Sequence, residues 1–260
     1  MRTIRLTLAY DGTNYAGWQV QPDRTTVQGT LEAVIEKVTG QQVRVTASGR
    51  TDAGVHALAQ VAAFTTDSHL TTDVLQRALN AELPRDVAVL HVNEAADGFH
   101  PIRDALRKRY RYVIHDGSVR DTLRRGQCWQ YVHGRLDVDA MQRAARALLG
   151  THDFSSFETT GAERLSSVRT IYDLPVERGR AGGGDLLTSE LAASDLVTVE
   201  VEADGFLYNM VRAIVGTLVD VGRGAREESW VADVLDATDR RVAGPTAPPE
   251  GLFLVRVEYE

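Results

Sequence analysis

The chain has 260 residues, enough for one large domain or two small ones. It carries 29 Lys plus Arg against 36 Asp plus Glu, and the formal net charge of -7 argues against a generic nucleic-acid-binding protein, which is usually basic, while leaving room for a local basic face. A single cysteine, Cys128, excludes an intramolecular disulfide and a CxxC metal site, and no apolar stretch approaches membrane-spanning length, since Met210 to Val221 is interrupted by Arg212 and Asp220.

The N-terminal MRTIRLTLAYDGT has no continuous apolar run and does not read as a signal peptide, so the expectation is a cytoplasmic protein. Thr3 to Ala9 alternates apolar and polar residues and predicts a strand leading into the turn signal Asp11-Gly12-Thr13-Asn14. Thr26 to Val38 places Val27, Leu31, Val34, Ile35 and Val38 at helical spacing, with Gly40 as the stop. Val43 to Thr46 and His56 to Thr65 predict two strands around a long polar connection. A helix over Thr72 to Glu82 and a strand over Val87 to Val92 complete this half. The order strand, helix, strand, strand, helix, strand is that of a ferredoxin-like unit with an antiparallel sheet.

The second half partly repeats this order. Strands are expected at Arg109 to His115, Cys128 to Val132, Ser167 to Val176, Leu196 to Ala203 and Leu252 to Glu258. Helices are expected at Val138 to Leu149, Leu207 to Val221 and Ser229 to Ala237. Gly179 to Asp185 reads as a flexible loop. The expected fold class is α+β, with two ferredoxin-like α/β halves. The first, residues 1–104, carries a loop around Asp52, and the second is residues 105–260.

That loop, within ASGRTDAGVHALAQVAAF (Ala47 to Phe64), is the stretch with the clearest chemistry. Gly49 and Gly54 bracket Asp52, and Arg50 stands two residues before it. A nearby cation keeps a carboxylate ionised, and an ionised, positioned carboxylate is a competent nucleophile. Asp beside Gly is also common in plain turns, so the residues alone leave both readings open. No GxGxxG or Walker loop occurs, and the histidines show no metal-ligand spacing, so no cofactor is expected.

GRTDAGVHA resembles the catalytic loop of the tRNA pseudouridine synthase A family. YDGTNYAGWQVQ, TVQGTLEAVI, FLYNMVRAIVGTLVDVG and AGPTAPPEGLFL resemble further motifs of that family, in the family's order. The resemblance covers essentially the whole chain. It implies a two-domain fold whose halves meet at a central catalytic cleft, and isomerisation of uridine to pseudouridine in the anticodon arm, at tRNA positions 38 to 40, by a homodimer. It implies that Asp52 is the nucleophile, with attack on sugar and on base both open. Arg50 and Tyr110 complete the catalytic set with Arg212, an ion-pair partner of Asp52 lodged in an apolar helix. Tyr110, in Arg-Lys-Arg-Tyr-Arg-Tyr, is the tyrosine that stacks on the target base. Unaided, that segment reads as an ordinary exposed strand, with Tyr110 and Tyr112 on one face and Arg109 and Arg111 on the other.

Arg24, Arg107 and Lys108, with Arg120, Arg124 and Arg125, are candidate phosphate contacts, although a solvated charged face is their default reading. One departure from the family pattern lies at Phe99-His100-Pro101-Ile102-Arg103-Asp104, where Arg103 stands one place late. Because the chain is acidic, a basic surface of Arg24, Arg50, Arg107, Lys108 and Arg212 is expected, with Glu177, Asp185, Glu190, Glu200 and Glu202 turned away from it. A hydrolase using Asp52 is the rival reading, with His56 as the nearby base. A catalytically silent RNA-binding module on the same scaffold is a second.

Overall fold

In the computed structural model, residues 1–159, 166–179 and 194–259 are described. They form two compact units, Met1–Leu106 together with the chain from Phe253 onward, and Arg107–Leu252. None of their helices is long and apolar enough to cross a membrane.

The first unit opens with β1 (Arg2–Tyr10), whose Ile4, Leu6, Leu8 and Tyr10 are buried in strict alternation. Helix α1 (Val27–Thr39) follows. The Thr26 hydroxyl accepts from the Gly29 amide at its start, and Gly40 ends it in the left-handed conformation. Leu31 and Ile35 are fully buried, each worth roughly 1.5–3 kcal/mol relative to exposure. Next come β2 (Thr46–Ala47), β3 (His56–Thr66), α2 (Thr72–Glu82) and β4 (Val87–Glu94). Strand β1 lies between β4 and β3, antiparallel to both, and β2 pairs antiparallel with β3. The order β4-β1-β3-β2 is that of the expected ferredoxin-like sheet.

Val43 to Val45 is not a strand. The Val45 backbone is satisfied from α1 instead. Its amide donates to Glu32 Oε1 at 2.8 Å, and its carbonyl accepts from Gln28 Nε2 at 2.9 Å. Two helix side chains thus replace the ladder that the β-branched run suggests.

The second unit begins with β5 (Arg107–His115) and β6 (Trp129–Gln130), which are parallel neighbours. Helix α3 (Val138–Ala145) ends in a 3-10 turn and is followed by β7 (Gly150–Asp153), a strand absent from the sequence reading. Then come β8 (Val168–Asp173), β9 (Val176–Arg178) and β10 (Leu196–Ala203). The stretch read as one strand over Ser167 to Val176 is broken at Leu174-Pro175, because proline cannot donate to a ladder. Strand β10 pairs antiparallel with β5 on one side and with β8 and β9 on the other. Helices α4 (Met210–Gly222) and α5 (Trp230–Ala237) pack with α3. The loop expected at Gly179 to Asp185 lies, past Gly179, outside the described residues.

The last strand, β11 (Leu252–Glu258), was grouped by sequence with the second half. It pairs in parallel with β3, Phe253 opposite His56 and Leu254 opposite Ala57, and so belongs to the first unit. The Leu106 amide donates to the Glu258 carbonyl at 2.9 Å, which holds the end of the first long segment to the C-terminal strand.

Candidate active site

The connection between β2 and β3 carries Asp52, which is half-buried, while Arg50 is exposed. Each turn of this connection is tied to the segment after β1. The Trp18 amide donates to the Thr51 carbonyl at 2.9 Å, and the Gly12 amide donates to His56 Nδ1 at 3.0 Å. A Cβ on Gly17 would stand 2.7 Å from the Thr51 carbonyl oxygen and 3.2 Å from the Ala53 amide nitrogen. Only a glycine lets the backbone lie this close to the Asp52 loop, and its φ of +96° points the same way. The YDGTNYAGW and GRTDAGVHA motifs are thus two halves of one packed structure. The turn itself closes through the Val55 amide, which donates to the Asp52 carbonyl at 3.1 Å.

Beneath the loop lies a set of polar groups the sequence reading did not single out. The Tyr10 hydroxyl pairs with Thr51 Oγ1 at 2.8 Å. Gln60 accepts from Ser48 Oγ at 2.7 Å and donates to the Gly49 carbonyl at 2.9 Å. Burial pushes the Tyr10 phenol up to about 12, against the smaller opposing effect of its bonds to Thr51 and Gln60. It is a neutral hydrogen-bonding group throughout the working range. The signal available in sequence was Gln60, a polar residue inside an apolar strand.

His56 is 2% exposed and stacks on Phe253 with ring centroids 4.7 Å apart. Its Nδ1 takes the Gly12 amide and lies 3.1 Å from Asp11 Oδ1. This histidine is enclosed in packing, which leaves it unsuited to deliver water as a hydrolytic base.

The second unit holds Tyr110 and Arg212. The alternation of β5 is as the spacing predicts: Tyr110, Tyr112 and Ile114 are buried, and Arg109 and Arg111 occupy the other face. The reading of an ordinary exposed strand does not survive for Tyr110, which is 8% exposed and meets the edge of Phe206 at 4.9 Å between centroids. Arg212 is the one charged residue before Asp220 on α4. Its Nε donates to the Ala247 carbonyl at 2.7 Å and its Nη1 to Asn209 Oδ1 at 2.8 Å. The Ala247 amide donates back to the Arg212 carbonyl at 3.0 Å. The AGPTAP segment therefore holds this guanidinium by its backbone, and Gly216 gives that segment room to lie against α4.

The basic candidates divide. Arg24 is exposed in a tight turn in which Gln21 and Arg24 form an isolated bridge. Lys108 is half-buried opposite Ala203. Arg107 lies over the Tyr172 ring at 4.2 Å and 3.5 Å from Glu202 Oε1. Glu202 and Glu200 also bind Arg109, at 3.0 and 2.8 Å, and Glu200 binds Arg111 at 2.6 Å. The expectation that Glu202 turns away from the basic surface is overturned by its contact with Arg107, while the β5–β10 register sets Glu200 opposite Arg111 and Glu202 opposite Arg109. Asp185 and Glu190 lie outside the described residues. Arg124 is engaged with Asp121 at 2.5 Å. Arg103 is spent within its own turn, on Asp104 Oδ1 at 2.9 Å and the Gly98 carbonyl at 2.6 Å.

Comparison with known proteins gives this arrangement its family. A family model described as tRNA pseudouridine synthase matches residues 7–102 and 144–260, which include Asp52 and the whole of α4. The chain belongs to the tRNA pseudouridine synthase family. It is 43% identical over 259 residues to tRNA pseudouridine synthase A of Thermoanaerobacter sp. (strain X514), with 100% of both chains covered. It is 46% identical to the enzyme of the same name from Pelobacter propionicus, again over 100% of both. Against that of Myxococcus xanthus the identity is 46%, over 100% of this chain and 92% of the relative. Among solved structures, one chain of a Cbf5-Nop10-Gar1 complex aligns at 12% identity and a TM-score of 0.34, over 96% of this chain and 57% of its own. The fold is that of the pseudouridine synthases, and the chain is an isomerase acting on uridine in tRNA.

Proposed function

We propose that this pseudouridine synthase isomerises uridines on the 3′ side of the anticodon stem-loop, with Asp52 as its nucleophile. The observation that carries the reading is the Asp52 loop itself. A GRTDAGVHA sequence is held at Thr51 by Trp18 and lined by Gly17, so the Asp52 carboxylate sits on a rigid support. Such support is what nucleophilic attack requires, since a reacting atom displaced by ~1 Å can cost on the order of 100-fold.

The reaction breaks the bond from uracil N1 to the sugar, turns the base and rejoins it through C5. C5 gives up its proton as the new bond forms and N1 takes one up, so the isomerisation balances without redox or phosphoryl chemistry. Tyr110 is proposed to stack on the target base, a contact worth ~1–3 kcal/mol. Arg50 and Arg212 are proposed as the cations of the reaction, and Arg24, Arg107 and Lys108 as contacts to the RNA backbone. Arg212 is well suited to a fixed role, since two hydrogen bonds already set its guanidinium. The target must leave its stack before C1′ and C5 are accessible. A homodimer working in the cytoplasm completes the proposal on family resemblance.

The deciding experiment maps pseudouridine in tRNA from cells with and without the gene. Loss of the modification on the 3′ side of the anticodon stem-loop, restored by the wild-type chain and not by Asp52→Asn, is expected. An unchanged anticodon-arm pattern with loss elsewhere in tRNA would reassign the target while keeping the reaction.

A further inference from the structure

Gln60 lies in the middle of β3, between Ala57 and the run Val61-Ala62-Ala63-Phe64, and its side chain is wholly enclosed. A primary amide buried in such surroundings costs free energy unless its hydrogen bonds are made. It makes them with the Asp52 loop: Oε1 accepts from Ser48 Oγ at 2.7 Å, and Nε2 donates to the Gly49 carbonyl at 2.9 Å. The same Nε2 lies 3.5 Å from the Tyr10 hydroxyl, at the limit of a hydrogen bond, and that hydroxyl pairs with Thr51 Oγ1 at 2.8 Å. Ser48, Gln60, Tyr10 and Thr51 are all 6% exposed or less.

We propose that Tyr10, Ser48 and Gln60 act as positioning residues, a buried clamp that sets the backbone of residues 48 to 51 and so aims the Asp52 carboxylate. This rests on the reading of Asp52 as the attacking group. The contacts fall on residues 48, 49 and 51, immediately before the Asp. The Trp18 amide also holds the Thr51 carbonyl, at 2.9 Å. Two strands, β1 and β3, supply Tyr10 and Gln60; they pair antiparallel from Arg2 opposite Thr66 to Leu8 opposite Gln60, and a register shift after Leu8 then sets Tyr10 opposite Ala57. The sheet is therefore the reference frame: the Ser48 amide still donates to the Val61 carbonyl of β3 at 2.7 Å, and the clamp carries that frame on to residues 49 to 51. Preorganisation of this kind raises the rate of the chemical step without adding substrate contacts.

The test uses Tyr10→Phe, which keeps the ring and removes one hydroxyl, beside Tyr10→Phe/Thr51→Val and Asp52→Asn. Single-turnover isomerisation is followed by release of tritium from tRNA labelled at uridine C5, and tRNA affinity and thermal midpoint are measured on the same preparations. The clamp predicts that Tyr10→Phe slows the single-turnover step by about 10- to 100-fold, with affinity within twofold of wild type. The double variant leaves no unpaired hydroxyl, so it should recover thermal stability and remain slow. A Tyr10→Phe rate within twofold of wild type, or a double variant that regains the full rate, would overturn the clamp while Asp52→Asn stays inactive. Turnover by Asp52→Asn would instead remove the reading of Asp52, and the proposal with it.

Discussion

Gly17 and Thr51 are in backbone contact: a methyl group on Gly17 would stand 2.7 Å from the Thr51 carbonyl oxygen, one residue from Asp52. That oxygen is already taken by the Trp18 amide, so it cannot swing aside without losing a hydrogen bond. The φ of +96° at Gly17 adds strain for any L side chain. Gly17→Ala is expected to cost ~2–4 kcal/mol, from overpacking and backbone strain together. It should also slow the chemical step of the folded fraction, because the loop must shift. Urea unfolding and a single-turnover assay check the two effects separately. A Gly17→Ala protein of wild-type stability would show that this contact relaxes freely.

Gly216 offers a test in which propensity and packing predict opposite signs. It sits in the interior of α4, where Ala would be favoured by ~1 kcal/mol in an isolated helix. Its Cα, however, faces the carbonyl group of Pro245, and an added Cβ would lie 2.9 Å from the Pro245 carbonyl carbon and closer still to its oxygen. The segment pushed away carries the Ala247 carbonyl that binds Arg212 Nε. Gly216→Ala should therefore destabilise by ~1–3 kcal/mol net and reduce turnover, the latter through loss of Arg212 orientation. Stabilisation by the variant would show that the segment can retreat.

Much of this fold is legible because burial alternates or recurs at helical spacing. The strand at Leu196–Ala203 and the helix at Thr72–Glu82 stand where patterning puts them. Strand β5 is legible to the level of its faces, arginines on one and tyrosines on the other. What sequence does not reveal is set by distant partners. Val45 gives up a strand because Glu32 and Gln28, a helix away, satisfy its backbone. The last strand joins the first unit because β3 has an open edge at His56 and Ala57. In the site, Asp52 is visible through its motif. Tyr10 is hidden, since a tyrosine ending a strand carries no local signature, and Gln60 shows only as one polar residue inside an apolar strand, with nothing local to say what it binds. The pairing of Glu202 with Arg109 and Arg107 is likewise a matter of register between strands far apart in sequence.

Asp116 gives the second unit a pH dependence. Its side chain is fully enclosed, and Arg178 holds it with two bonds of 2.8 Å. The Leu136 amide donates to the same carboxylate at 2.9 Å. Burial alone would raise its pKa, but the Arg178 and Leu136 hydrogen bonds and the charges of Arg178 and Arg135 outweigh this and hold it below the ordinary range. A carboxyl depressed in the folded state adds stability above its unfolded value of ~3.9, and that stability is lost as pH falls through the folded value. Asp116→Asn is expected to cost about 3 kcal/mol at pH 7, the lower end for breaking a buried pair, because Arg178 keeps some access to solvent. The difference from wild type should narrow as pH falls below about 4. Thermal midpoints across that range measure it, and a gap independent of pH would assign the effect to packing instead of charge.

The last prediction concerns how an acidic chain holds an anionic RNA. Phosphate contacts release counterions, so affinity for tRNA should fall with salt, with a log–log slope that grows by ~0.7–0.9 per contact. Arg107 is one of the candidate contacts, yet it lies over Tyr172 at 4.2 Å and beside Glu202 at 3.5 Å. To meet a phosphate it must share or leave those partners, whereas exposed Arg24 sits at the tip of a turn. Arg24→Ala should weaken all tRNA substrates alike and flatten the slope by roughly one unit, as a true phosphate contact does. Arg107→Ala should flatten it by less than about half a unit, because Glu202 keeps Arg109 as a partner and its charge remains balanced. Binding titrations from low to physiological ionic strength on the two variants check the pair. A full-unit change for Arg107→Ala with none for Arg24→Ala would reverse the assignment. It would mean that RNA outcompetes Glu202 for that guanidinium, as closely spaced phosphodiesters do where a single carboxylate 3.5 Å away is the rival.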